Sequence, residues 1–243
     1  MADNAVKFSI EDQVAWITLN RPQVRNAING EVLDGLMRAT GEIAASSEIK
    51  AMVLSGEGEA FSAGADLKFL YEAMATDMKS AQEFGDRFCA TVMALTEVPV
   101  PTIAMVNGLA LAGGIELMLA CDIAIAAEEA KIGDQHTNID VIGVPSMWQL
   151  PRRLGLQRAM ELVVTGKHLS GKEAEGCGLV LRAVPRERLG EELEALLGQL
   201  RHKSQPLLKL AKRVLRNTID MSDERAALHY IRTESGRYRS GHG

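Results

Sequence analysis

The apolar positions of this chain follow two periods, and the period changes along its length. Near the N-terminus "AVKFSIEDQVAWITLNRP" alternates apolar and polar residues on either side of the turn-like "EDQ". That pattern predicts a β-hairpin ended by Pro22. In "NGEVLDGLMRATGEIAASS" the residues Val32, Leu33, Leu36, Met37, Ile43 and Ala44 recur at helical spacing, so a helix follows. "IKAMVLSGEG" is a short continuous apolar run closed by glycines, as expected of a strand covered on both faces. A glycine-containing loop, "AFSAGADLKFL", leads to a long helical stretch over 78–97. "VPTIAMVNGLALAGGIELMLACDIAIAAEEAKIGD" then reads as strand, turn, helix and strand, and the alternation predicts an α/β body.

From Pro185 onward no strand candidate remains. The chain reads as three helices broken near Ser204-Gln205-Pro206 and near Asp220-Met221-Ser222. The predicted organisation is a body over 1–185 and a helical region over 186–243, whose Leu193, Leu196, Leu197 and Leu200 face packs on the body or on another subunit. A chain of 243 residues that is 47% hydrophobic buries a full core in one main body.

A net charge of −5 gives no electrostatic reason to expect nucleic acid as a partner, so any polyanion must be held by a few local cations. The three cysteines, Cys89, Cys121 and Cys177, are widely spaced, with neither CxxC pairing nor a histidine cluster. They predict reduced core thiols in a cytoplasmic protein rather than a disulfide framework or a metal site. The N-terminus has early acidic residues and no apolar segment of secretory type. The apolar run over 109–127 is interrupted by Gly113, Gly114, Glu116 and Asp122, so a buried helix and strand are expected there, with no membrane partner.

That same run, "LALAGGIELMLACDIAIA", places an ionisable group, Glu116, in the greasiest part of the chain. Two glycine-bearing turns, "SAGAD" at 62–66 and "LAGGIE" at 111–116, each end a strand and open a helix. Free backbone N–H groups lie at such helix starts. Either turn alone is also read as plain packing; together they offer two converging donors for one developing oxyanion.

The order "ITLNRPQVRNAIN", "GEAFSAGADLK", "VNGLALAGGIELMLACDIAIA", "KIGDQH" and "LPRRLG" resembles the crotonase, or enoyl-CoA hydratase/isomerase, superfamily over essentially the whole chain. The resemblance implies a crotonase-type spiral of β-β-α units with a C-terminal helical trimerisation region, assembled as a homotrimer or a dimer of trimers. By residue match it implies that the N–H groups of Ala65 and Gly113 bind a thioester oxygen and that Glu116 is the general acid/base. Burial raises a carboxyl pKa toward the useful range. A carboxylate that caps its helix or pairs with a core arginine is the structural alternative. For the coenzyme A end, Arg25 matches the phosphate cation, Ala27 and Ala63 match backbone contacts, and Gly64, Asp66, Leu67, Lys68 and Gly114 complete the binding wall. Arg25 on its own also reads as a solvated loop cation. No cofactor is implied, since coenzyme A is part of the substrate.

Three departures from the family pattern stand out. The second family glutamate is replaced by His136, twenty residues after Glu116, with Asp134, Gln135 and Asp140 near enough in sequence to orient it. Histidine exchanges a proton near neutral pH, although it also reads as a pocket-lining residue. The glycine-rich "P.GGG..RLPR" loop becomes "VIGVPSMWQLPRRLG", where Val144, Ser146, Met147 and Trp148 stand for small residues. Val144, Met147 and Trp148 are therefore acyl-pocket candidates, and the family's backbone contact to a catalytic water does not carry over. Finally, relatives usually continue past "YRSGHG" into a last helix that covers an adenine; either this is a naturally short member or the chain is truncated, and a more open adenine site is the expectation.

The expected reaction is hydration of a 2-enoyl-CoA. Double-bond isomerisation is the alternative, and a His–Asp pair here is also similar to family members that cleave carbon–carbon bonds in β-diketones. A non-catalytic acyl-CoA-binding protein is the remaining class.

Overall fold

The computed structural model describes residues 5–241. The first four residues and the last two, on which parts of the N-terminal and C-terminal readings fall, lie outside the described residues.

The predicted hairpin forms from β1 (Val6–Glu11) and β2 (Val14–Leu19), joined through Asp12 and Gln13, both at positive φ. Two consecutive left-handed residues match the twist of a two-residue hairpin. Strands β3 (Ala51–Gly56), β5 (Thr102–Val106), β7 (Ile123–Ala127) and β10 (Arg182–Val184) extend this hairpin into a six-stranded sheet. Its order is β1-β2-β3-β5-β7-β10, parallel throughout except at the hairpin. Every residue of β3 is buried, as the unbroken apolar run requires.

A second sheet is built from short strands: β4 (Ala60–Ser62), β6 (Leu109–Leu111), β8 (Lys131–Gly133) and β9 (Leu169–Ser170). Each of β3, β5 and β7 is followed by a strand of this second sheet and then by helix, which is the β-β-α repeat. The helices are α1 (Gly30–Ala45), α2 (Leu67–Thr76), α3 (Met78–Thr96), α4 (Gly113–Ala120), α5 (Val144–Leu154), α6 (Leu156–Thr165) and α7 (Gly171–Gly176). The C-terminal helices are α8 (Leu189–Arg201), α9 (Gln205–Thr218) and α10 (Glu224–Arg239), broken where Pro206 and the 220–222 segment predicted. None of the described helices is long and apolar enough to cross a membrane.

The buried face of α1 differs from the predicted one. Met37 is 44% exposed and Ala44 is exposed, while Gly35, Ala39 and Thr40 are buried. A close approach decides this: a side chain on Gly35 would meet Val6 at 2.7 Å, so the helix turns its small residues toward the hairpin. The thiols also divide, with Cys121 buried and Cys89 and Cys177 only partly so.

Leu189, Leu193 and Leu197 of α8 join the same buried cluster as the body strands, with Leu196 and Leu200 packed beside it. Helix α9 is tied down by charge. Asp122, just after α4, accepts hydrogen bonds from the Thr102 N–H and hydroxyl and from Arg216, and pairs with Lys212 at 2.8 Å. Burial pushes the Asp122 carboxyl up, but Lys212 and Arg216 outweigh it and hold the carboxyl below its ordinary value. Its contribution is therefore present above the unfolded carboxylate pKa and is lost as pH falls. Asp122→Ala leaves Lys212 buried without its partner, and a loss of ~3–5 kcal/mol is expected. A thermal midpoint lowered by roughly 10 °C at pH 7 would register it; an unchanged midpoint would mean that the pair contributes nothing.

Candidate active site

The two glycine turns meet. The "SAGAD" loop is framed by the segment before α1: Ile28 N–H donates to the Gly64 carbonyl, Asp66 N–H to the Ile28 carbonyl and Ala63 N–H to the Arg25 carbonyl, at 2.8–2.9 Å. Asn26, fully buried at φ 55°, anchors that segment by donating to the Glu57 and Ala60 carbonyls. Asparagine tolerates this left-handed backbone because its short amide bonds locally. On the other side, Ala112 at φ 49°, ψ −120° turns the chain sharply into α4. A Cβ on Gly64 would lie 2.9 Å from the Gly113 nitrogen, and one on Gly114 would lie 2.3 Å from the Ser62 carbonyl oxygen. Glycine is what lets the turns touch. The Ala65 and Gly113 N–H groups have no hydrogen-bond partner among the described residues.

Glu116 lies in the first turn of α4, a helix whose eight residues are all buried, and is itself 1% exposed. Its Oε1 accepts the Ser146 N–H at 3.0 Å, and its Oε2 lies 3.8 Å from His136 Nε2. Burial pushes the carboxyl up to about 7, against the opposing pull of His136 and of the Ser146 N–H. Among the described residues no arginine pairs with it: its partners are Ser146 and His136.

His136 opens a short 3-10 turn, His136–Ile139, directly after β8. Its Nδ1 lies 3.1 Å from Asp134 Oδ1, and Asp134 is fully buried. Burial pulls the imidazole pKa down, but the Asp134 hydrogen bond and the Glu116 and Asp134 charges more than offset this, so it stands above the ordinary value. Burial likewise pushes Asp134 up, and the His136 hydrogen bond brings it net below its ordinary value. Of the three residues considered as orienting groups, Asp134 alone does so. Asp140 is exposed at the left-handed end of the turn, and among the described residues Gln135 makes one hydrogen bond, its carbonyl accepting the Asn138 N–H.

The coenzyme A candidates fall into two kinds. Arg25 is exposed on the loop, and its guanidinium has no ion pair among the described residues. Leu67 and Lys68 are exposed at the start of α2, and Ala27, Ala63 and Gly64 lie in the interlocked backbone. The Asp66 carboxylate pairs with Arg21 at 2.9 Å and caps α2 through the Phe69 N–H. Arg21 also donates to the Ala27 carbonyl, locking the two segments together.

The acyl-pocket candidates separate as well. Val144 and Trp148 are 68% and 61% exposed, with Arg152 stacked 3.2 Å from the Trp148 ring centroid, whereas Met147 is partly buried. Of the four residues that stand for small ones there, the buried one is Ser146, whose N–H on Glu116 and hydroxyl on the Gly143 carbonyl give it a role that the sequence did not reveal. Only its position as the third residue of a helix led by Pro145 hinted at a free N–H.

Residues 9–235 match the family model described as "Enoyl-CoA hydratase/isomerase". A probable enoyl-CoA hydratase of Mycobacterium tuberculosis is 37% identical over 213 residues, 87% of this chain and 81% of the relative. A putative enoyl-CoA hydratase of Thermus thermophilus is 35% identical over 83% of this chain and 80% of its own. The crystal structure of an enoyl-CoA hydratase from Mycobacterium smegmatis superimposes with a TM-score of 0.90 at 30% identity, covering 96% of this chain and 90% of that one. The paired glycine turns, the buried glutamate and these likenesses together identify the chain as a member of the enoyl-CoA hydratase/isomerase family, with the crotonase fold.

Proposed function

We propose that this enzyme hydrates a 2-enoyl-CoA to a 3-hydroxyacyl-CoA. The observation that carries the reading is the 3.8 Å approach of Glu116 Oε2 and His136 Nε2, two proton-exchanging groups, with Glu116 in the first turn of the helix that Gly113 opens. The thioester oxygen sits between the Ala65 and Gly113 N–H donors, which stabilise the negative charge that develops on it. One water reaches both Glu116 and His136. Glu116 takes a proton from it as the oxygen adds to C3, and the resulting enolate receives a proton at C2 from the imidazolium. The sum is one water added across the double bond. Exposed Arg25 holds a phosphate of the coenzyme A portion by a charge-assisted contact.

Because Glu116 acts ionised and His136 acts protonated, kcat/KM is expected to rise with pH through about 7 and to fall at higher pH as the imidazolium deprotonates. A bell-shaped profile supports the pair, and a profile flat from pH 6 to 9 overturns it.

The Asp134–His136 hydrogen bond favours a second reading, hydrolytic cleavage of a β-diketone, in which the dyad activates water for attack on a ketone. One experiment separates the two. The protein is incubated in D₂O with 2-enoyl-CoAs, 3-enoyl-CoAs and a β-diketone, and products are read by mass. Gain of one water, taken up as D₂O, supports hydration; a moved double bond with at most a solvent deuteron and no added water indicates isomerisation; two fragments indicate cleavage.

The exposed apolar residues Leu215, Ile219 and Leu228 support a subunit interface, as in the homotrimer or dimer of trimers that the family resemblance implies, measurable as three or six chain masses by light scattering.

A further inference from the structure

The replacement of a glutamate by His136 raises the question of what fixes the ring, since an imidazole has two tautomers and two flips. Two groups act on it at Nδ1 and the adjoining Cε1. Asp134, fully buried, stands 3.1 Å from Nδ1, and Nε2 lies on the opposite edge toward Glu116. Gly143, buried just before α5, lies against the ring: a Cβ there would fall 2.4 Å from Cε1 and 2.5 Å from Nδ1. At φ −75° its backbone suits any residue, so the local conformation does not demand glycine; the neighbouring imidazole does, together with the Ser146 hydroxyl, 2.5 Å from the same Cβ position. The same turn closes back on the site, because the Gly143 carbonyl accepts the Ser146 hydroxyl and the Ser146 N–H reaches Glu116.

We propose that Asp134 and Gly143 are positioning residues that hold His136 in one tautomer and one orientation, Asp134 by accepting the Nδ1 proton and Gly143 by leaving room for the ring. Nε2 is thereby kept as the proton-exchanging nitrogen facing Glu116. This rests on His136 being a catalyst, but the device itself is readable in the free enzyme.

The titratable groups facing the imidazole are Asp134, from the segment after β8, and Glu116, from α4; Cys89 of α3 lies near Glu116, its thiol pushed up first by burial and then by that carboxylate. The test uses full-length protein with ¹⁵N-labelled histidine. In the wild type, Nδ1 is expected to carry the proton whenever the ring is neutral. Asp134→Asn removes the charge at nearly constant shape, so the His136 titration midpoint is expected to fall and the nitrogen shifts to show mixed tautomers. In turnover, kcat is expected to fall 10–100-fold with KM within about twofold. Gly143→Ala is expected to displace the ring resonances and lower kcat while Asp134 remains in place. An unchanged midpoint and tautomer in Asp134→Asn, or unchanged ring resonances in Gly143→Ala, overturns the proposal for that residue. Altered ring resonances with full hydration activity would uphold the positioning and instead remove His136 from the proposed chemistry.

Discussion

Glu116→Gln is expected to lower kcat ~10²–10⁴-fold, the usual contribution of a positioned acid/base group, with binding of the coenzyme A ester unchanged. The amide keeps the shape and still accepts the Ser146 N–H through its oxygen, so the loss isolates proton transfer. Retained turnover would remove Glu116 from the mechanism. The same variant carries a second expectation with opposite sign. The Glu116 pKa is raised from 4.5 to about 7 in the folded protein, so folding favours the protonated form. Stability is then lost as pH rises from 4.5 through about 7, and the full penalty stands at higher pH, at most ~3 kcal/mol from the shift. The amide never ionises. Thermal midpoints should therefore show the variant gaining on the wild type between pH 5 and pH 8, and a pH-independent difference would contradict a strongly raised carboxyl.

Gly64→Ala is expected to cost ~10²–10³-fold in kcat, the loss typical of one oxyanion donor. The residue sits at φ 90°, and the added carbon would lie 2.8 Å from the Leu111 carbonyl oxygen and 2.9 Å from the Gly113 nitrogen. Neither neighbour is a flexible side-chain end, so the turns must separate and the Ala65 and Gly113 donors diverge. A left-handed alanine also adds ~1–2 kcal/mol of strain, so a lower melting temperature should accompany the lost activity. Steady-state kinetics on the thioester, paired with a melting curve, separate the effects. Full activity in a folded variant would show that the convergence of the two donors is not needed.

Much of the architecture was legible because its signals are local. The hairpin through Asp12 and Gln13, the fully buried β3 and the helix breaks at Pro206 and at 220–222 follow from period, turn residues and proline. The glycines of the two turns were also legible, since their spacing before helices is a backbone property. The face of α1 was misjudged at Met37 and Ala44 because packing against Val6 rewards small residues, and periodicity alone does not weigh that.

The site divides in the same way. The element order, the two glycine turns, the buried carboxylate at 116 and the histidine twenty residues later follow from the residues alone, because each is written in adjacent residues or a fixed count. Long-range packing alone sets Asp134 rather than Asp140 against His136, pairs Asp66 with Arg21, leaves Trp148 exposed against Arg152 and brings Ser146 to Glu116 across 30 positions. Those choices depend on which groups long-range packing brings within about 3 Å while water is excluded, and both the hydrogen bond and the raised carboxyl exist only under that condition.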